Sequence, residues 1–312
     1  MQLLSISARI SPILRRPGLE ATVESAFAQA CNLVTPHGEA LALVSRAVGN
    51  GPLNAVLSQP QALAALQPGS TVYGDGVWLH LAAGWRLALA PAKDWNPTPH
   101  YSRLARRPRL VAHNLAELRR RLPLYAPDAS LAATPSALNN RPMRLFGEAS
   151  LAQTQAHAAI DGLLHSYQAG DLARLGSFAA RLAGLGPGLT PAGDDWLAGW
   201  LVGLHATANI RDGEPPLALK AVARTVIDRA TTRTTRLSLA FLQAAAEGAA
   251  AEAWHRLIAA LPDADPAPTH AAMIEIMRYG ATSGADMLAG FLAAFAEGNL
   301  EELEELEELR GA

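Results

Sequence analysis

The chain has 312 residues, a formal charge of −2 and a pI near 6.5; half of its residues are hydrophobic, 5% are aromatic and 17% are charged. That length supports a sizeable core in two domains, and the composition excludes a disordered chain. The near-neutral charge argues against a general nucleic-acid binder, and the alanine-rich filler favours packed helices over a β-sandwich.

The first eighteen residues, MQLLSISARISPILRRPG, lack the basic-then-apolar order of a secretory signal and read as a first strand. LEATVESAFAQA, about Leu19–Ala30, reads as a helix interrupting the strands. CNLVT and ALALVS then flank PHGE as a hairpin. Turn signals at Gly74-Asp75-Gly76 and Ala83-Gly84 bound two more short strands, Val77–Leu81 and Trp85–Ala90. Cys31 is the only cysteine, which excludes an intrachain disulfide and a cysteine-based zinc site and fits a reducing compartment. No apolar run approaches the roughly 18 residues needed to cross a bilayer. The expected location is therefore cytoplasmic, with neither membrane nor nucleic acid as a partner.

From Lys93 to Arg109 prolines and arginines mark a boundary. Residues 100–121 carry seven arginines against Glu117, which reads as a solvated helix face plus linker, or as a surface for an anionic partner. Leu122–Pro142 is irregular. Helices are expected over 149–168, 171–184, 194–209, 216–247, 249–260, 268–279 and 284–297, with an acidic tail helix near 299–310. The fold class is α+β: a β-rich domain at 1–110, an irregular connector at 111–148 and an all-helical domain at 149–312.

Three segments carry chemistry. Gly186–Gly193 packs three glycines and two prolines into eight residues before an apolar helix. Such a loop aims successive amides into one concavity at a helix start, which suits an anion. It is neither a Walker loop nor a dinucleotide fingerprint. Asp194 and Asp195 follow. One is explained as a helix cap; the pair leaves open a Mg²⁺ site or a carboxylate that polarises a substrate N–H. No other cofactor is indicated.

The second segment is a repeat. TPAGDDWLAGWL (190–201) and ATSGADMLAGFL (281–292) share Gly-x-Asp, an apolar residue and Leu-Ala-Gly. If the two helices pair, Asp195 and Asp286 face one cleft and become candidate metal ligands. The third segment is Thr231-Thr232-Arg233-Thr234-Thr235-Arg236. On a continuous helix Arg229, Arg233 and Arg236 form one stripe, able to hold a carboxylate or phosphate or to pair with surface acids. The nine histidines form no ligand pattern; His157, His165 and His205 read as half-buried packing residues.

The run GLGPGLTPAGDDWLAG resembles the hallmark of the AllH-like bacterial family, whose named member is a subunit of oxamate carbamoyltransferase in allantoin and purine catabolism. The β-rich front, helical back and Thr/Arg segment agree with that resemblance. It implies phosphate-dependent conversion of oxalurate to oxamate and carbamoyl phosphate, or the reverse, together with partner subunits. The residues suit that chemistry: Gly186, Gly188, Thr190, Gly193, Arg233 and Arg236 are the candidate contacts to the small anionic substrate, and Asp194 or Asp195 is the candidate to orient the oxamate nitrogen or hold a metal. The Ser-x-Arg-Thr-Arg loop of the well-known carbamoyltransferases is absent. Two other readings stay open: a non-catalytic assembly subunit, and a Mg²⁺-dependent hydrolase with aspartates at two helix starts.

Overall fold

A computed structural model describes residues 2–59, 61, 63, 66–81, 84–133, 150–211 and 217–295. The chain divides into two compact units. One is residues 1–98 with the short segment Ala249–Glu252, and the other takes the remaining described residues from Pro99 on.

The first unit is built on one nine-stranded sheet. Its strands are β1 (Leu3–Ser7), β2 (Leu19–Ala26), β3 (Ala30–Val34), β4 (Ala40–Val44), β5 (Asn54–Leu57), β6 (Thr71–Gly74), β7 (Trp78–His80), β8 (Arg86–Ala88) and β9 (Lys93–Trp95). Their order is β8-β7-β6-β2-β3-β4-β5-β1-β9. Only β4–β5 and β1–β9 pair in parallel. A four-residue helix, α1 (Ser11–Leu14), follows β1. The β3–β4 and β7–β8 hairpins stand where the turn signals placed them. Ala249–Glu252 joins this unit through Ala250 N–H to Pro97 O (2.8 Å) and Glu252 Oε2, which accepts from Asn50 Nδ2 (2.9 Å).

The helix expected at Leu19–Ala30 is instead β2 and the start of β3. Leu19, Ala21 and Val23 are buried while Glu20, Thr22 and Glu24 are exposed. That alternation has the period of a strand, and the β-branched Thr22 and Val23 favour it.

The second unit is helical: α2 (Pro108–Tyr125), α3 (Leu151–Gln168), α4 (Leu172–Leu182), α5 (Ala192–Arg211), α6 (Leu217–Ala230), α7 (Arg236–Ala246), α8 (Glu252–Ala260), α9 (Ala267–Ile276) and α10 (Ser283–Ala293). Residues 111–125, expected as irregular connector, are therefore helical. Val111, Ala112, Leu115, Leu118 and Leu122 recur at helical spacing and are buried, which outweighs Pro123 in the last turn. The remainder of that connector from 134, and the acidic tail, lie outside the described residues. Ser150 opens α3 with a reciprocal capping box to Gln153, and Asp171 caps α4 through Arg174 N–H (2.9 Å).

The helix expected over 216–247 breaks into α6 and α7. Thr231 Oγ1 bonds back to Ile227 O (2.8 Å), and the Thr235 hydroxyl accepts Ser238 N–H (3.0 Å) as the cap of α7. Threonine hydroxyls that satisfy backbone groups locally compete with helix continuation. The stripe of Arg229, Arg233 and Arg236 is thereby not formed. At the centre lie α5 and α10, apolar on nearly every face and carrying Trp196, Trp200 and Phe291 at no more than 1% exposure. A helix apolar all round is an interior helix.

Candidate functional site

The repeat has a direct meaning in the packing. A Cβ on Gly199 would stand 1.8 Å from Met287 O, and one on Gly290 would stand 1.9 Å from Trp196 O. Each glycine of α5 and α10 thus receives the backbone of the other helix, at equivalent positions of the two repeats. The Leu-Ala-Gly runs permit that approach because neither glycine carries a side chain. Gly193 and Gly284 behave alike too. Their Cβ positions fall 2.1 Å from Leu182 O and 1.9 Å from Ile276 O, the last residues of α4 and α9. The two Gly-x-Asp starts are each wedged against the end of the preceding helix.

The loop before α5 is fixed by Asp194, which is 1% exposed. Its carboxylate accepts the Gly184 N–H (3.0 Å), the Ser238 hydroxyl (2.9 Å) and the Thr234 hydroxyl. Thr235 donates its hydroxyl to Leu189 O (2.6 Å). Gly184 has φ +75°, and a Cβ there would lie 2.1 Å from Arg233 O. The Gly184–Gly193 loop and the Thr231–Thr235 turn are therefore one fastened body. Burial pushes the Asp194 carboxyl up, against the three hydrogen bonds that pull it down.

Asp195 and Asp286 form a second cluster. Asp195 bonds the side chains of Ser283 and Thr190, and the two hydroxyls lie 3.2 Å apart. Asp286, fully buried, accepts Leu131 N–H at Oδ1 (2.6 Å) and bonds the Thr282 side chain. The Oδ2 atom of each aspartate is buried with no hydrogen-bond partner among the described residues. Burial raises Asp195 well above the usual carboxylate range, and the nearby Asp286 charge adds to it, while hydrogen bonds from Ser283 and Thr190 oppose it. Burial pushes Asp286 up to about 6. Burial thus shifts both carboxyls the same way, toward holding a proton to higher pH than an exposed aspartate does. Thr190, Thr282 and Ser283 are the partly exposed members of the cluster.

The donor set does not fit a resident Mg²⁺. Among the described residues no three His, Cys, Asp or Glu side chains gather as metal ligands. Magnesium also keeps several waters in an octahedral shell, whereas both free carboxylate oxygens are sealed from solvent.

The sequence-derived candidates thus divide. Asp195, Asp286 and Thr190 come together; Gly186, Gly188, Gly193 and Asp194 belong to the adjoining fastened loop. Arg233 lies in the turn and Arg236 opens α7. Both are exposed, and neither guanidinium forms a hydrogen bond or ion pair with a described residue. Arg233 adjoins the loop through its backbone. Sequence reading missed Gly184, Ser238, Ser283 and Leu131. Ser283 sits inside the repeat beside Gly284 and was visible there; Leu131 contributes a backbone N–H, which has no side-chain signature. Leu131 also receives the His157 ring at its carbonyl, and the His205 ring bonds Ala246 O (3.0 Å) while stacking on Tyr101, so both histidines serve packing.

Comparison with known proteins agrees with this division of the chain. A family model described as oxamate carbamoyltransferase subunit AllH matches residues 182–295, which hold the loop and both aspartate-bearing helix starts. A second, described as the AllH family N-terminal domain, matches residues 2–94, the sheet. No solved structure matches the chain. With the front sheet and the paired helices both accounted for, the chain belongs to the AllH family.

Proposed function

We propose that the chain is a subunit of an oxamate carbamoyltransferase-like enzyme, acting in the cytoplasm on oxalurate, oxamate and carbamoyl phosphate in purine or allantoin catabolism. The family supports a subunit role, and among the described residues no helix is long and apolar enough to cross a membrane. The observation that carries the chemical reading is the pair of buried carboxyls, Asp195 and Asp286, at the starts of α5 and α10, both pushed up by burial.

In oxalurate cleavage a phosphate oxygen attacks the carbamoyl carbon. The bond from that carbon to the oxamate nitrogen breaks, and the nitrogen takes up a proton. A carboxyl raised toward neutrality is suited to give it, and the resulting carboxylate to take it back in the reverse direction. The Thr190 and Ser283 hydroxyls, bonded to Asp195, provide the route from the buried group to a substrate at the loop. Loop amides and the exposed Arg233 and Arg236 supply positive potential for the phosphate and the oxamate carboxylate. Asp194 acts as a positioning residue, since its oxygens are taken up by the loop and the turn.

That internal use of Asp194 also favours a second reading, a non-catalytic assembly subunit in which the loop is structural. Phosphate-dependent oxalurate cleavage by the chain with its partner subunits separates the two. Asp195→Asn is expected to lower kcat by about 10²-fold or more. Wild-type turnover in a folded Asp195→Asn complex would leave the assembly role.

A further inference from the structure

The arginines of residues 100–121 differ in how they are met. Arg119 is buried and donates to Leu292 O (3.0 Å) near the end of α10. Arg120 and Arg121 both pair with Glu117, the latter at 3.4 Å. Arg103 and Arg106 lie in a 3-10 segment, Tyr101–Arg106, while Arg107 precedes α2 and Arg109 stands in its first turn; all four are exposed. No acidic residue occurs from Trp95 to Ala116. Arg103, Arg106 and Arg107 form no hydrogen bond or ion pair with a described residue. This edge is a concentration of one sign of charge that attracts the other.

The counter-charge exists in the same chain. Residues 296–312, outside the described residues, hold seven glutamates and one arginine. The whole chain is at −2 and that segment at −6, which leaves +4 on residues 1–295. The direction of α10 decides where the segment is delivered. Arg119, within α2, meets Leu292, late in α10, whereas Leu131, beyond the end of α2, meets Asp286, early in α10. The chain leaving α10 is therefore directed toward the earlier, arginine-bearing part of α2. From Arg119 back to Pro108 the helix rises about 16 Å, a distance that about a dozen residues cover even when helical.

We propose that the glutamate-rich residues 300–309 dock, within their own chain, on the exposed arginine edge of residues 103–109. The segment then occupies the one stretch of α2 and its approach whose cations lack neighbouring acids. An anionic partner reaching this surface has to displace it. The assignment stands apart from the carbamoyl-transfer reading.

Carbodiimide coupling, which joins an amine to a carboxylate with no spacer, tests it on the full chain. Arg106→Lys keeps the charge and supplies an amine in a chain whose only lysines are Lys93 and Lys220. Arg106 is exposed and without a described partner, so the exchange leaves the fold intact. Peptide mapping of the monomer-sized product is expected to find position 106 joined to glutamates of residues 301–308. Lys220, on α6, should be joined to them about fivefold less or lower. The yield should fall about threefold or more at about 1 M salt, where the screening length shrinks to about 3 Å. Adding Arg103→Gln and Arg107→Gln to Arg106→Lys keeps the amine but removes neighbouring charge, and should lower the yield by a similar factor. Absence of coupling at position 106, equal coupling at Lys220, or an unchanged yield without Arg103 and Arg107 would overturn the proposal. Coupling found only in a dimer-sized product would also overturn it, and would make a second copy the occupant.

Discussion

The starts of α5 and α10 share a glycine wedge and a buried aspartate, yet they are tied down differently. At α5, Asp194 fastens the loop and the 231–235 turn, and Asp195 is met by two hydroxyls. At α10, the residue equivalent to Asp194 is the buried Ala285, and Asp286 is met by a backbone N–H from Leu131 and by Thr282. Hydroxyls rotate and can pass a proton; a backbone amide can only donate in place. The same motif therefore yields one carboxyl met by side-chain hydroxyls alone and one held in part by a fixed backbone donor.

The largest expected effect tests what the two starts share. Gly290→Val would drive a side chain into Trp196 O and separate the central helices. Overpacking of this severity is expected to cost about 4 kcal/mol, measured as a loss of stability in urea unfolding. A drop of less than 1 kcal/mol would mean that the helices do not cross so closely.

The next effect separates the anchoring carboxyl from its surroundings. Asp286 is raised from its ordinary 3.8 to about 6, so the folded chain holds a proton that the unfolded chain releases. Its contribution favours folding at low pH and is lost as pH rises from about 4 through about 6. Across that window wild type should lose roughly 3 kcal/mol of stability relative to Asp286→Asn. Urea unfolding of both proteins from pH 4 to pH 7 reads this difference, and a pH-independent difference would contradict it.

The smallest effect turns one start into the other. Asp194→Ala gives α5 the residue found at α10 and leaves Gly184 N–H, Thr234 and Ser238 without their acceptor. A loss of about 2 kcal/mol is expected. Hydrogen exchange should locate it in the 184–194 loop and the 231–238 segment rather than in α10. Protection lost equally at both starts would mean that Asp194 is no local fastener.

Much of this was legible from residue types. The β3–β4 hairpin followed from Pro36 and Gly38 between apolar runs, and the pairing of α5 with α10 followed from the repeated Leu-Ala-Gly. Failures arose where local preference and tertiary demand diverged. In LEATVESA, alanine and glutamate suggest a helix, and only the burial of every second residue decides for a strand. At Thr231–Thr235, strong helical flanks masked a break that the threonine hydroxyls enforce, so the arginine stripe was drawn on a helix that is not continuous. Leu131 meets Asp286 from 155 residues away through its backbone, a contact that no residue type announces.

The crossing of α5 and α10 has one more consequence. Gly199 meets Met287, and its equivalent Gly290 meets Trp196, the equivalent of Met287. Exchanging the two repeats maps the contact onto itself, as in an isologous interface between identical subunits. In a true homodimer any substitution appears on both sides at once. Held within a single chain, the two sides are encoded separately, and a change can be confined to one of them. Asp194 opposite Ala285 is such a change: a dyad whose halves are free to specialise.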